Sequence, residues 1–182
     1  MSKALLIIDV QNDYFPKGKN ELFQPEKALD AIKRLLKSFR EDGYPVYYIQ
    51  HVKAKGATFF ESGSEGVKIH EGIQPKGLEK VIIKHQPSSF LETNLQEELQ
   101  KDAIDELVVC GMMTHMCVDT TVRVAKELGY SVTLISDACA TFDLEWNNEK
   151  IAAEVVQKVY LASLHPYFAD VKTCDEYFDN II

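Results

Sequence analysis

Short apolar runs alternate with longer amphipathic stretches along the chain, and each predicts an element. Ala4–Val10 is apolar at every position except Asp9, the pattern of a strand covered on both faces. Pro25 then opens a helical period that puts Ala28, Ile32, Leu35, Leu36 and Phe39 on one stripe and closes at Gly43. Val46–Val52 predicts a second strand, Val81–Lys84 a short third and Glu106–Gly111 a fourth. The helical period returns from about Cys117 to Leu128, stopped by Gly129. Val132–Asp137 predicts a fifth strand. A long helix is expected from about Asn147 to Leu164, ending before Pro166, and Phe168–Val171 predicts a last short strand.

Strands alternating with helices imply parallel βαβ units in a doubly wound α/β sheet. No internal repeat, low-complexity tract or linker divides residues 1–182, which read as a single domain. The segment between Lys53 and Gly77 holds five glycines and no clear period. It predicts a long loop, ordered because Phe59, Phe60, Val67 and Ile69 need cover.

Composition narrows the function. Lys and Arg total 20 against 28 Asp and Glu, a net charge of −8, the wrong sign for nucleic acid or an anionic membrane surface. A small-molecule substrate stays open. No segment approaches the roughly 20 apolar residues that span a bilayer, and the N-terminus carries no signal-peptide pattern, so a cytoplasmic location is expected. Cys110, Cys117, Cys139 and Cys174 form no C-x-x-C pair, and free thiols are expected in a reducing compartment.

Ligands of open α/β sheets bind beyond the carboxyl ends of the strands. Asp9 ends the first strand and Lys84 the third. The fourth runs out through Gly111–Met116 to Cys117, at the start of a helix, and Asp137 ends the fifth. A cysteine at a helix N-terminus beside a lysine is expected to have its pKa lowered below about 8.5. Such a thiolate is a nucleophile, Asp9 could accept and return the proton, and Lys84 could hold the carboxylate. Each residue also has a plainer reading: Asp9 as a turn cap, Lys84 as a solvated strand end, a cysteine as a small apolar side chain. The last is the reading for Cys110, Cys139 and Cys174. Convergence of three groups on one sheet edge is what singles them out.

These residues resemble the isochorismatase-like cysteine hydrolases, the family that includes nicotinamidase, carbamoylsarcosine amidohydrolase and isochorismatase. The matching motifs are Ala4-Leu-Leu-Ile-Ile-Asp9-Val-Gln-Asn-Asp13, Ile82-Ile-Lys84-His-Gln-Pro-Ser-Ser-Phe90 and Val109-Cys-Gly111-Met-Met-Thr114-His-Met-Cys117-Val-Asp-Thr-Thr121-Val-Arg123. Gly129-Tyr130 and Ser136-Asp137-Ala138-Cys-Ala140 also match. The resemblance covers nearly the whole chain.

It implies a Rossmann-like three-layer α/β/α fold with a mostly parallel sheet and an Asp9–Lys84–Cys117 triad. It also implies a cis peptide between Met112 and Met113, aiming the N–H groups of Met113 and Cys117 into an oxyanion hole. Members that cleave the isochorismate vinyl ether often carry glycine at the cysteine position. Cys117 therefore favours amide or carbamoyl hydrolysis through a thioester over vinyl-ether hydrolysis or a non-catalytic binding role. Nicotinamidases carry a zinc-binding Asp-x-His followed by a further His; here Ile49-Gln50-His51 lacks the aspartate, leaving His51 and His70. No metal or other cofactor is expected, and His51 is read as lining the pocket or packing near a subunit contact. Gln11, Phe15, Phe60, Phe90, Thr114, His115 and Trp146 are the candidate substrate-binding residues. Arg123 is assigned to structural ion pairing. A homodimer or homotetramer is expected, with exposed Phe59 and Phe60 completing a neighbour's pocket.

Overall fold

The structure, a computed structural model, describes residues 2–179. Its strands and helices follow in the order β1 (Lys3–Ile8), α1 (Pro25–Glu41), β2 (Val46–His51), β3 (Lys80–Lys84), α2 (Leu95–Lys101) and β4 (Glu106–Met112). A π-helical turn (Thr114–Val118) leads into α3 (Asp119–Glu127), followed by β5 (Ser131–Ala140), β6 (Leu144–Trp146), β7 (Glu149–Ile151), α4 (Ala153–Leu164), β8 (Asp170–Lys172) and α5 (Cys174–Asp179). Six strands form one parallel sheet in the order β3-β2-β1-β4-β5-β8.

Alternation along β1 explains the three layers. Leu5 and Ile7 point into a core completed by α1, while Ala4, Leu6 and Ile8 face a second core completed by α2 and α3. β1 is buried on both faces, as its unbroken apolar run requires. The chain reverses its direction of growth between β1 and β4, and ligand clefts in such sheets open at that switch point. Gly111 makes the close strand approach there possible. Its φ is +130°, and a Cβ at this position would stand 2.1 Å from the carbonyl oxygen of Ile8. Asp9 and the Cys117 turn are therefore neighbours across the switch point.

The region expected as the start of a long helix is instead a hairpin. Asn147 and Asn148 take φ values of +50° and +62° between paired β6 and β7, a two-residue turn that Asn enters readily. The helix begins only at Ala153, whose N–H donates to the Asp143 carboxylate. The predicted helix at Cys117 likewise starts later, because the π-helical turn adds a wider loop of backbone before α3. β5 runs on to Ala140, past the expected end at Asp137, beyond a register shift opposite Val109 and Gly111. The short helices α2 and α5 have no counterpart in the hydrophobic pattern. Among the described residues no helix is long and apolar enough to cross a membrane.

Candidate active site

Asp9, Lys84, Cys117 and His51 meet beyond the carboxyl ends of β1, β3, β4 and β2. Asp9 leaves its strand with φ +52°, a left-handed conformation that Asp tolerates better than most residues. Its N–H donates to the carbonyl of Ile49, which ties it to β2. Asp9 and Lys84 are both wholly buried, with the ammonium 2.8 Å from Asp9 Oδ2. The contact is an ion pair without the alignment of a hydrogen bond: neither carboxylate oxygen accepts one from the described residues. Lys84 instead donates to the carbonyls of Gln86 and Pro87, each at 3.1 Å.

His51 occupies the centre. Its Nδ1 lies 3.4 Å from Lys84 Nζ, 3.7 Å from Asp9 Oδ2 and 3.9 Å from Cys117 Sγ. Expected to line the pocket or pack near a subunit contact, it is buried inside the cluster of this chain. The strand-end rule that found Asp9 and Lys84 also covers the last residue of β2, so the signal was present. Tyr14 had no such signal. Burial above all, with the Asp9 charge adding to it, raises its pKa far above the ordinary phenol value.

The expected lowering of the Cys117 pKa is overturned. Burial pushes the thiol well above its ordinary range, and the Asp9 charge adds to the rise, while Lys84 opposes both without cancelling them. For Lys84, burial pulls the pKa down, but Asp9 and then Cys117 outweigh it and the net shift is upward. The resting Cys117 is thus a neutral thiol beside the Lys84 ammonium.

The aromatic and polar candidates divide. Phe60 is wholly buried, 4.6 Å from the Tyr14 ring and 5.9 Å from that of His51, so it backs the site from within the same chain and offers nothing to a neighbour. Phe59 is half-buried against it. Gln11 has no free amide to give a substrate: its Nε2 donates to the carbonyls of His51 and Val67, and its Oε1 accepts the His51 N–H. Its work is to fix the backbone of His51. Phe15 packs against His70 with its ring tilted, 4.2 Å between ring centres, and Phe90 stacks on Tyr130, which precedes β5. Trp146 is 72% exposed on the β6–β7 hairpin. Thr114 donates to Gln157 Oε1, and His115 Nδ1 sits 2.6 Å from the Thr141 hydroxyl. Both flank the cysteine turn while facing away toward β5 and α4. Arg123 pairs with Asp119 one turn earlier on α3.

The Met112–Met113 peptide is cis, and the carbonyl of Met113 accepts the N–H groups of Met116 and Val118, closing the turn that carries Cys117. The glycine-rich segment is ordered by Asp13. Its buried carboxylate accepts the N–H of Phe60 at 2.6 Å and of Lys19 at 3.0 Å. Gly66 packs so closely on that carboxylate that a Cβ there would lie 2.1 Å from Oδ1.

Asp9, His51 and Cys117 offer ligand atoms within 4.8 Å of one another. Lys84 Nζ already stands against two of the three, and a cation between them would face an ammonium at contact distance. His70 is elsewhere, its Nδ1 accepting the Gly72 N–H. The residues do not fit a resident metal.

Comparison with known proteins gives a consistent result. The Isochorismatase domain model matches residues 3–171. The uncharacterized isochorismatase family protein YddQ of Bacillus subtilis is 47% identical over 178 residues, 97% of this chain and 99% of that protein. Nicotinamidase 3 of Arabidopsis thaliana is 31% identical, covering 78% of this chain and 75% of that protein. A solved isochorismatase-hydrolase homologue from Oleispira antarctica superposes with a TM-score of 0.95 at 41% identity, covering 98% of this chain and 96% of that one.

Proposed function

Because the chain belongs to the isochorismatase family and is a hydrolase, we propose that it cleaves the C–N bond of a small amide or carbamoyl compound through a thioester on Cys117. The observation that carries the reading is the Asp9 carboxylate, buried against the Lys84 ammonium and within 4.8 Å of the Cys117 sulfur. A carboxylate placed there can take a proton from the thiol, and a neutral, buried thiol needs such an acceptor.

In this reading Asp9 takes the Cys117 proton as Sγ attacks the carbonyl carbon. The oxyanion is met by the N–H groups of Met113 and Cys117. The tetrahedral adduct then expels the amine, which leaves with the proton from Asp9, and a thioester remains. Asp9 next deprotonates a water, the water attacks the thioester, and the thiol recovers its proton as the acid departs. Lys84 holds Asp9 in place between steps, and His51 bounds the space between acid and sulfur. The nicotinamidase relative supports amide chemistry, and the presence of Cys117 supports a covalent route over vinyl-ether cleavage.

The test is an amide panel scored by amine release, with intact-mass detection of an acyl adduct. Turnover lost in Cys117→Ala, with an adduct trapped in the active protein, supports the reading. Full activity in Cys117→Ala overturns it, because the amide would then be cleaved without a thioester. We further infer a homodimer or homotetramer in the cytoplasm. Val155 and Val159, exposed one turn apart on α4, and four free thiols support those two points. Light scattering checks the first.

A further inference from the structure

Lys53 is a second lysine at the catalytic cluster. Two residues beyond His51, it returns in an extended chain to the side that His51 faces. Its backbone is fixed at both ends: its N–H donates to the carbonyl of Phe60 and its carbonyl accepts the N–H of Ser62. The half-buried ammonium lies 3.3 Å from the centre of the Phe59 ring. A ring face attracts a cation but accepts no ordinary hydrogen bond, so the three donors of the ammonium are unspent. Among the described residues no carboxylate pairs with Lys53, whereas Lys84 is held by Asp9.

The same lysine lines a cavity of about 440 Å³ with Val52, Ala54, Ser62 and His85. Val52 and His85 directly follow His51 and Lys84, so this cavity lies beside the ends of the two strands that carry them. Burial lowers the pKa of Lys53, and the Asp9 charge opposes that fall. On a chain of net charge −8, a locally unpaired cation is what lets an anion approach.

We propose that Lys53 is a specificity-determining residue that takes an anionic group of the substrate. The substrate class is then a small amide or carbamoyl compound that also bears a carboxylate. This rests on the hydrolase reading above, with Lys53 binding the end of the molecule remote from the scissile bond.

The test separates the two readings by using reagents that need no turnover. Cys117 is alkylated with anionic iodoacetate and with neutral iodoacetamide, and the ratio of rates is divided by the same ratio for glutathione. The expected ratio in the native protein is several-fold above that of the free thiol, and about 0.5 M salt reduces it. Lys53→Met is expected to bring it to the free-thiol value and Lys53→Arg to preserve it. An unchanged ratio in Lys53→Met overturns the proposal. So does its loss in Lys53→Arg, which would mean that packing on Phe59 matters and charge does not. No labelling by either reagent also overturns it, since no anion would then reach the sulfur. If the amide panel shows no turnover while the ratio still follows Lys53, the hydrolase reading fails and the anion site stands. Where there is turnover, succinamate is expected to exceed neutral succinamide in kcat/KM. Lys53→Met is expected to raise KM for succinamate about tenfold with kcat little changed.

Discussion

Lys84 and Asp9 form an ion pair at 2.8 Å with neither side chain exposed to solvent. Removing either partner leaves a buried charge without compensation, which costs about 3–5 kcal/mol. Lys84→Met is therefore expected to lower unfolding stability by that amount as well as activity. Asp9→Asn combined with Lys84→Met is expected to recover much of the stability and none of the activity. Urea unfolding of the three proteins checks this, and a double variant no more stable than Lys84→Met would contradict it.

The raised pKa of Cys117 gives a sign to its pH dependence. The folded chain keeps a proton that the unfolded chain releases from about pH 8.5 upward. The stability this contributes is complete below that pH and is lost as pH climbs toward the folded pKa. Alkylation of Cys117 should accordingly be slow at neutral pH and rise steadily into the alkaline range. Asp9→Asn removes a negative charge, so it is expected to bring the rise to lower pH while abolishing turnover. Iodoacetamide labelling followed by mass spectrometry from about pH 6 to 10 reads both.

Gly111→Ala is expected to be the most damaging small substitution in the sheet. The new methyl would meet backbone on β1, which cannot give way as a side chain tip does, and φ of +130° is strained for any residue with a Cβ. Loss of more than about 4 kcal/mol or failure to fold is the expected result, whereas Gly77→Ala, with open space around it, should cost far less. Thermal melting of the two variants makes the comparison.

Much of this architecture was legible because burial writes itself into composition. The unbroken run at β1 announced a central strand, and strand ends announced Asp9, Lys84 and Cys117. The hairpin at Asn147 and Asn148 escapes the pattern because a helix started at about Asn147 ignores two residues that favour left-handed backbone. Phe60 was misjudged for a different reason. Its burial depends on Asp13 capturing its N–H from 47 positions away, and no local pattern encodes such a bond. The pKa of Cys117 failed similarly, since desolvation is set by the whole fold while the helix end and the lysine are visible locally.

Trp146 provides a clean control for the revised pocket. It stands exposed on the β6–β7 hairpin with Glu149 opposite, so Trp146→Ala is expected to change stability by less than about 0.5 kcal/mol and to leave kcat/KM unaltered. Loss of activity in Trp146→Ala, measured on whichever amide the panel identifies, would return it to the site.

His51 is the residue whose removal best distinguishes a working part from a wall. It touches carboxylate, ammonium and sulfur at once, yet Gln11 holds only its backbone, so a side-chain change leaves that clamp in place. His51→Asn keeps a polar amide near the Nδ1 position, and His51→Leu puts an apolar group between Asp9 and Cys117. If the imidazole only fills space, the two variants should differ little in kcat and in its pH profile. If it orients the thiol toward Asp9, His51→Leu should lower kcat by about 10²-fold with a smaller change in KM, and His51→Asn should recover part of that loss. The second pattern is the expected one, because the imidazole nitrogen that lies between acid and sulfur is the same atom that meets Lys84, and leucine supplies no polar contact to any of the three.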